Sequence, residues 1–198
     1  MNKSIGMHFQ KNDSLIYLIG DRKDELGGSA YYSLYNELGA NIPKPDLDEV
    51  KNQIYALTDC IDLQLILSCH DISDGGVACA IAEMSFSNSI GCTLEIPGEL
   101  EIHKKLFSET GGFIIEVQPK NIQSIIDQFK KYKLDIIKLG TTNKSNKTII
   151  NDAINKKINN RKYVNPCGSY IGISCSNNTV FGQIKDISGQ INTKCGKH

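Results

Sequence analysis

From residue 15 to residue 140, short β-rich apolar runs alternate with stretches of helical periodicity, and this alternation restricts the chain to a sheet covered by helices. Leu15 to Ile19 (LIYLI) reads as a strand closed by Gly20 and Asp21, and Ser29 is placed to cap a helix through Tyr31, Tyr32, Leu34 and Tyr35. Asp46 then stands as an N-cap, and Leu47, Val50, Ile54, Leu57 and Ile61 define the apolar stripe of a longer helix. Leu65 to Cys69 is a buried strand. Val77 to Phe86 is apolar nearly all round, which predicts a helix held inside the fold. Cys92, Leu94 and Ile96 alternate with polar residues as in a half-buried strand, Leu106 and Phe107 belong to a short helix, and Phe113 to Val117 is another strand. Ile122, Ile125, Ile126 and Phe129 lie on one helical face, and Ile136 to Leu139 is a strand ending at Gly140. The expected fold class is an α/β (α+β) sandwich, a mixed sheet covered by helices.

Charge and cysteine usage narrow the function classes. Lys and Arg total 22 and Asp and Glu total 22, so no field of one sign spreads over the surface to attract nucleic acid or an anionic membrane. The most apolar stretch, Val77 to Phe86, is interrupted by Glu83 and falls short of the roughly 20 residues that span a bilayer. Met1 to Gln10 lacks the apolar block of a secretory signal. Seven cysteines, with no CxxC pair, read as reduced and mostly buried thiols of a cytoplasmic protein. Cys69 precedes His70, but neighbours along a strand point to opposite faces, which disfavours a catalytic pair.

The segment HDISDGG, residues 70–76, interrupts the strand before the buried helix begins. A strand that stops there, a turn with two carboxylates and a hydroxyl, two glycines and then a helix make a corner whose backbone N–H groups favour an anion such as phosphate. Asp71 and Asp74 supply hard oxygens of the kind Mg²⁺ accepts. Ordinary helix capping and a simple Gly-Gly turn account for the same residues, and no Walker-type lysine follows the glycines. Spacing alone leaves both readings open.

The wording HDISDGGVACAIAEMSF resembles the motif of the last domain of the phosphoribosylformylglycinamidine synthase family. There His, Asp, any residue, Ser, Asp or Glu, Gly, Gly precede a small-residue helix ending in Ala-Glu. The resemblance extends upstream to LIYLIGDRKDELGGSAYYSLYNELGANIPKPDLD and downstream to LFSETGGFIIEV at 106–117, covering about residues 5 to 142. LFSETGG departs from family versions that carry an arginine near Gly112. Other enzymes of the superfamily share the architecture but word this loop differently.

The resemblance implies an AIR synthase-related C-terminal domain over residues 1–142, followed by a divergent, Asn/Lys-rich tail over 143–198 in which Thr148 to Ile150 is a strand able to complete the sheet. Short strands are also expected at Tyr170 to Ile173 and Thr179 to Phe181. It implies a part in the ATP- and glutamine-dependent amidation of formylglycinamide ribonucleotide, with Asp71 as a Mg²⁺ ligand and Ser73 as a nucleotide contact at an auxiliary ATP or ADP site. Asp74, Gly75 and Gly76 support that site, and His70 is read as a buried, hydrogen-bonded histidine orienting the loop. The family's catalytic residues lie in upstream domains, so no catalytic residue is assigned and the chain is expected to be a fragment or one piece of a split enzyme. Its expected partners are upstream domains or subunits of the synthase and a glutaminase, with dimer or pseudo-dimer packing through an apolar face. A non-catalytic packing module of the same superfamily, or another of its ATP-dependent enzymes, is the alternative.

Overall fold

A computed structural model of the chain describes residues 4–151 and 153–157. In chain order the elements are β1 (Leu15–Ile19), α1 (Ala30–Ser33), α2 (Leu47–Asp62), β2 (Ile66–Asp71), α3 (Gly76–Ser85), β3 (Gly91–Leu94), α4 (Ile102–Phe107), β4 (Phe113–Val117), α5 (Ile122–Lys131), β5 (Ile136–Asn143), β6 (Lys147–Ile150) and β7 (Ile154–Lys157). The strands form one sheet in the order β2-β4-β1-β5-β3-β6-β7. Neighbours are antiparallel except β3 and β6, which run parallel, so the sheet is mixed.

Strand alternation divides the core between the two faces of the sheet. Along β1, Ile16 and Leu18 join a cluster with Val77, Ala78, Ile81 and Met84 of α3 and Leu106 and Phe107 of α4. Tyr17 and Ile19 join the opposite cluster with Ala56, Leu57 and Cys60 of α2 and Ile125 and Phe129 of α5. A sheet with apolar side chains on both faces needs helices on both, and this one has them. The sandwich expected from the alternation of elements is the observed fold.

Local chemistry sets most boundaries. The Ser29 hydroxyl accepts the Tyr32 N–H at the start of α1, and the Asp46 carboxylate accepts the N–H groups of Asp48 and Glu49 at the start of α2. Helix α3 buries eight of its ten residues, Gly76 to Ile81 with Met84 and Ser85, because α4 covers the side that faces away from the sheet.

Two expectations are corrected. The inward face of α2 carries Gln53, Ala56, Leu57 and Cys60, whereas Leu47 and Ile54 of the expected stripe are exposed at 77% and 45%. Leu57 and Ile61 of that stripe do face inward, packing with Ala56 and Cys60 in the cluster on this side of the sheet. Strand β5 does not end at Gly140 but continues to Asn143. Gly140 sits so near β3 that a Cβ there would lie 2.1 Å from the Thr93 carbonyl oxygen, and its pairing with Ile16 adjoins a bulge. The glycine permits a close approach and does not end the strand.

Beyond residue 143 the sheet gains β6, which contains Thr148 to Ile150, and then β7. The strands expected at 170–173 and 179–181 lie outside the described residues.

Candidate functional site

HDISDGG forms the corner between β2 and α3. His70 and Asp71 are the last residues of β2, held to β4 by pairing with Ile114 and Phe113. The Ile72 N–H then bonds the Gly112 carbonyl, and the Gly76 N–H bonds the Ser73 carbonyl to close the turn. Gly75 and Gly76 have φ of +77° and +64°, a region open to glycine and strained for residues with a Cβ. At Gly76 a Cβ would also meet the Leu106 carbonyl oxygen at 2.6 Å. Glycine is therefore required twice over at position 76.

The polar side chains divide into an inner and an outer set. His70 is inner, with its side chain 9% exposed: Nε2 lies 2.8 Å from Glu83 Oε2, and Nδ1 bonds the Asp71 carbonyl at 2.7 Å and lies 3.3 Å from Asp71 Oδ1. Burial opposes charge on the ring, but the hydrogen bond and charge of Glu83, aided by Asp71, outweigh it and hold the pKa above its ordinary value. A ring bonded at both nitrogens ties β2 to α3. The outer set is Asp71, whose side chain is 65% exposed, with Ser73 and Asp74, both exposed.

The anion cradle expected at the start of α3 is already filled. Oε1 of Glu109 accepts the Gly75 N–H at 2.8 Å and the Ala30 N–H at 2.9 Å, joining the DGG turn to the turn that opens α1. Burial raises the Glu109 pKa, the two amide bonds oppose the rise, and the nearby Asp74 charge adds to it. The free N–H groups expected at this helix end are thus corrected: the chain supplies its own anion from residue 109.

Arg22 fixes the loop that carries Glu109, donating from its guanidinium to the carbonyls of Ser108 and Gly111. Burial lowers its pKa to about 10, while Asp21 and Glu25 act in the opposite direction. A guanidinium therefore does reach the Gly111–Gly112 region, but it comes from the loop after β1.

Asp71 and Asp74 offer the hard oxygens that suit Mg²⁺, yet among the described residues no group of three or more His, Cys, Asp or Glu could hold a metal ion. Mg²⁺ keeps its waters and binds one or two carboxylates together with phosphate oxygens. The residues fit a cation that arrives with a phosphorylated ligand, not an all-protein cage. A cleft lined by Gly20, Asp21, Asp46, Glu49, Gln53 and Gly112 has a volume of about 30 Å³, room for a water or two and not for a nucleotide. The thiols of Cys60, Cys69 and Cys92 are held in their neutral form by burial, which pushes Cys60 up to about 11 and Cys69 and Cys92 up to about 12. No helix among the described residues is long and apolar enough to cross a membrane.

Comparison with known proteins matches this geometry to a family. Residues 10–152 match the model of the AIR synthase related protein, C-terminal domain. The chain is 35% identical over 144 residues to phosphoribosylformylglycinamidine synthase subunit PurL of Methanothrix thermoacetophila, covering 71% of this chain and 19% of that protein. It is 36% identical over 146 residues to the same subunit of Thermoplasma volcanium, covering 72% and 19%. The chain thus spans about a fifth of the length of these relatives. Among solved structures, T. maritima PurL complexed with FGAR superposes with a TM-score of 0.66 at 15% identity, over 77% of this chain and 28% of that one. T. maritima PurL complexed with AMPPCP gives 0.63 at 15% identity, over 93% and 34%. These likenesses agree with the mixed, helix-covered sheet described above. The chain belongs to the family of AIR synthase related protein C-terminal domains, and its similarity within that family is to phosphoribosylformylglycinamidine synthases.

Proposed function

We propose that this chain serves as the C-terminal domain or a split subunit of a phosphoribosylformylglycinamidine synthase and holds a Mg-nucleotide at the corner between β2 and α3. The observation that carries the reading is the exposed Asp71 carboxylate, fixed at the end of β2 by buried His70, within a motif worded as in that synthase. Asp71 would take the Mg²⁺, Ser73 would contact the nucleotide, and Asp74, Gly75 and Gly76 would shape the turn around them. ATP- and glutamine-dependent amidation of formylglycinamide ribonucleotide belongs to the whole enzyme, and the chemical step falls to residues outside this chain.

The cleft beside the sheet is too small for a nucleotide, so the walls of a binding site come from neighbouring parts of the synthase. Exposed Leu47, Ile54 and Tyr55 on α2, with Leu38 and Ile42 before it, supply an apolar surface for such a neighbour. A chain that spans a fifth of its relatives' length leaves ample protein to cover it. Titration of the chain with Mg-ADP, followed by calorimetry, tests the reading. Binding that Asp71→Ala weakens by at least about tenfold supports it, the size of one lost charged contact. Binding indifferent to Asp71 removes the site assignment.

A second reading, a packing module that takes no nucleotide, is favoured by one observation: Glu109 already occupies the amide of Gly75. It predicts that Asp71→Ala changes no ligand response.

A further inference from the structure

The N-terminal segment is tied into the fold ahead of residue 10, where the family match begins. The Cys69 N–H of β2 donates to the Gly6 carbonyl at 3.2 Å, and the Phe9 N–H donates to the Met84 carbonyl of α3 at 2.8 Å. His8 Nδ1 lies 3.2 Å from the Glu83 carbonyl oxygen, and the Asn88 side-chain amide donates to the Phe9 carbonyl at 2.6 Å. Phe9 is fully buried and belongs to the core cluster of α3 and α4.

These contacts close a ring. Residues 6–9 are bonded to β2 at Cys69, the next residue of β2 is His70, and His70 pairs with the side chain of Glu83. The carbonyls of Glu83 and Met84 lead back to His8 and Phe9. Three elements far apart in sequence thus share one set of contacts, and members of such a network strengthen one another. A second fastening follows separately, where Glu116 of β4 accepts the amides of Gln10 and Lys11.

The ring reaches the β2–α3 corner by two routes. His70 and Asp71 end β2, and His70 Nδ1 is bonded to the Asp71 carbonyl. Helix α3 buries eight of its ten residues, so a shift of its last turn, at Glu83 and Met84, is carried to its first, at Gly76.

We propose that residues 6–9 are a strap that couples the N-terminal end of the chain to the β2–α3 corner: displacing the strap loosens the corner, and disturbing the corner releases the strap. Both directions express one coupling free energy, which is reciprocal by necessity. The coupling concerns the corner as a structural element and stands apart from the nucleotide reading above.

Native-state hydrogen exchange on the full chain tests it. In Phe9→Ala, exchange at Ile72 and Gly76, whose N–H groups bond the Gly112 and Ser73 carbonyls, should rise by at least about tenfold. In His70→Ala, exchange at Phe9 should rise by a similar factor, while Gln10 and Lys11, held by Glu116, stay within about threefold of wild type. The amides of Glu95 and Asn151, bonded to the Leu139 and Leu94 carbonyls toward the other edge of the sheet, report any general loss of stability. A rise at the corner and at the strap that exceeds the rise at Glu95 and Asn151 supports the coupling. An equal rise at all of these amides, or a change confined to the element that carries the substitution, overturns it. Should Phe9→Ala fail to fold, Asn88→Ala releases the Phe9 carbonyl, leaves the buried ring in place and is read at the same amides with the same two outcomes.

Discussion

Nε2 of His70, at the end of β2, lies 2.8 Å from Oε2 of Glu83, in the third turn of α3. The two side chains are 9% and 13% exposed, so the pair joins a strand to a helix in a setting where water competes little. Glu83 also accepts a contact from His8 at its carbonyl oxygen, which brings the N-terminal segment to the same place.

This pairing makes stability depend on pH in a defined direction. His70 is held above its ordinary value of 6.5, so the folded state binds the proton more tightly than the unfolded state does. Its contribution is complete below the unfolded value and is lost as pH rises through the folded one. Chemical denaturation across this window should show the unfolding free energy declining with pH. Glu83→Gln should flatten that decline and lower stability by about 1.5–3 kcal/mol on the acid side, the range for a hydrogen bond to a charged group. A wild-type profile with no slope through the window would remove the imidazolium from the account.

The elements legible in the sequence were those whose limits are set by nearby residues. LIYLI and FIIEV coincide with β1 and β4, and Asp46 caps α2, because each depends on side chains within a few positions. The inward face of α2 was legible in part: Leu57 and Ile61 of the expected stripe pack against the sheet, but Leu47 and Ile54 satisfy a helical stripe as well as Ala56 and Cys60 do and lie outside. Gly140 read as a terminator because its reason for being glycine, the carbonyl of Thr93, is 47 residues distant in the chain.

The site divides in the same way. Asp71, Ser73, Asp74 and the two glycines are contiguous, so a motif could point to them. Glu109 could not be found so, because its partners Gly75 and Ala30 stand 34 and 79 positions away. Glu116 left a faint signal, as the one acid in an otherwise apolar strand, FIIEV.

The exposed side chains of α2 should prove dispensable for folding. Leu47 and Ile54, seven residues apart on one outer stripe, are 77% and 45% exposed. Replacing both with Gln should change the unfolding free energy by no more than about 0.5 kcal/mol each, as for other surface positions. The same change should weaken any association of the chain with the rest of a synthase, read by light scattering or pull-down with those parts. A large loss of stability would show that these residues pack inward.

Glu116 should be far less tolerant. It is fully buried in β4, and its carboxylate accepts the N–H groups of Gln10 and Lys11 at 2.8 and 3.0 Å and the Ser68 hydroxyl at 2.8 Å. Glu116→Ala leaves three donors unmatched. The expected loss is about 1–3 kcal/mol, the cost of leaving the buried Ser68 hydroxyl unsatisfied, because the amides of exposed Gln10 and Lys11 can turn to water. Hydrogen exchange should accelerate first at Gln10 and Lys11, because those amides lose their acceptors while the strand pairing of β4 is untouched. Unaltered exchange at both would contradict the carboxylate's role as anchor of the N-terminal segment.

Gly76 allows the most severe single test of the corner. Two costs coincide there: a positive φ of 64°, and a Cβ that would stand 2.6 Å from the Leu106 carbonyl oxygen and 2.9 Å from backbone atoms of Phe107. The backbone conformation alone costs about 1–2 kcal/mol for alanine. Relieving the clash requires α3 and α4 to separate, which opens the packing of Phe107 and Leu106, both fully buried. Gly76→Ala should therefore cost more than about 3 kcal/mol, visible as a large drop in the thermal midpoint and lost protection along α3. Gly28, also at positive φ but with nothing within 4 Å of an added Cβ, serves as the control and should pay the conformational cost alone. Equal losses at the two positions would mean that α4 yields freely, and that the tight seam between α3 and α4 does not hold the DGG turn in place.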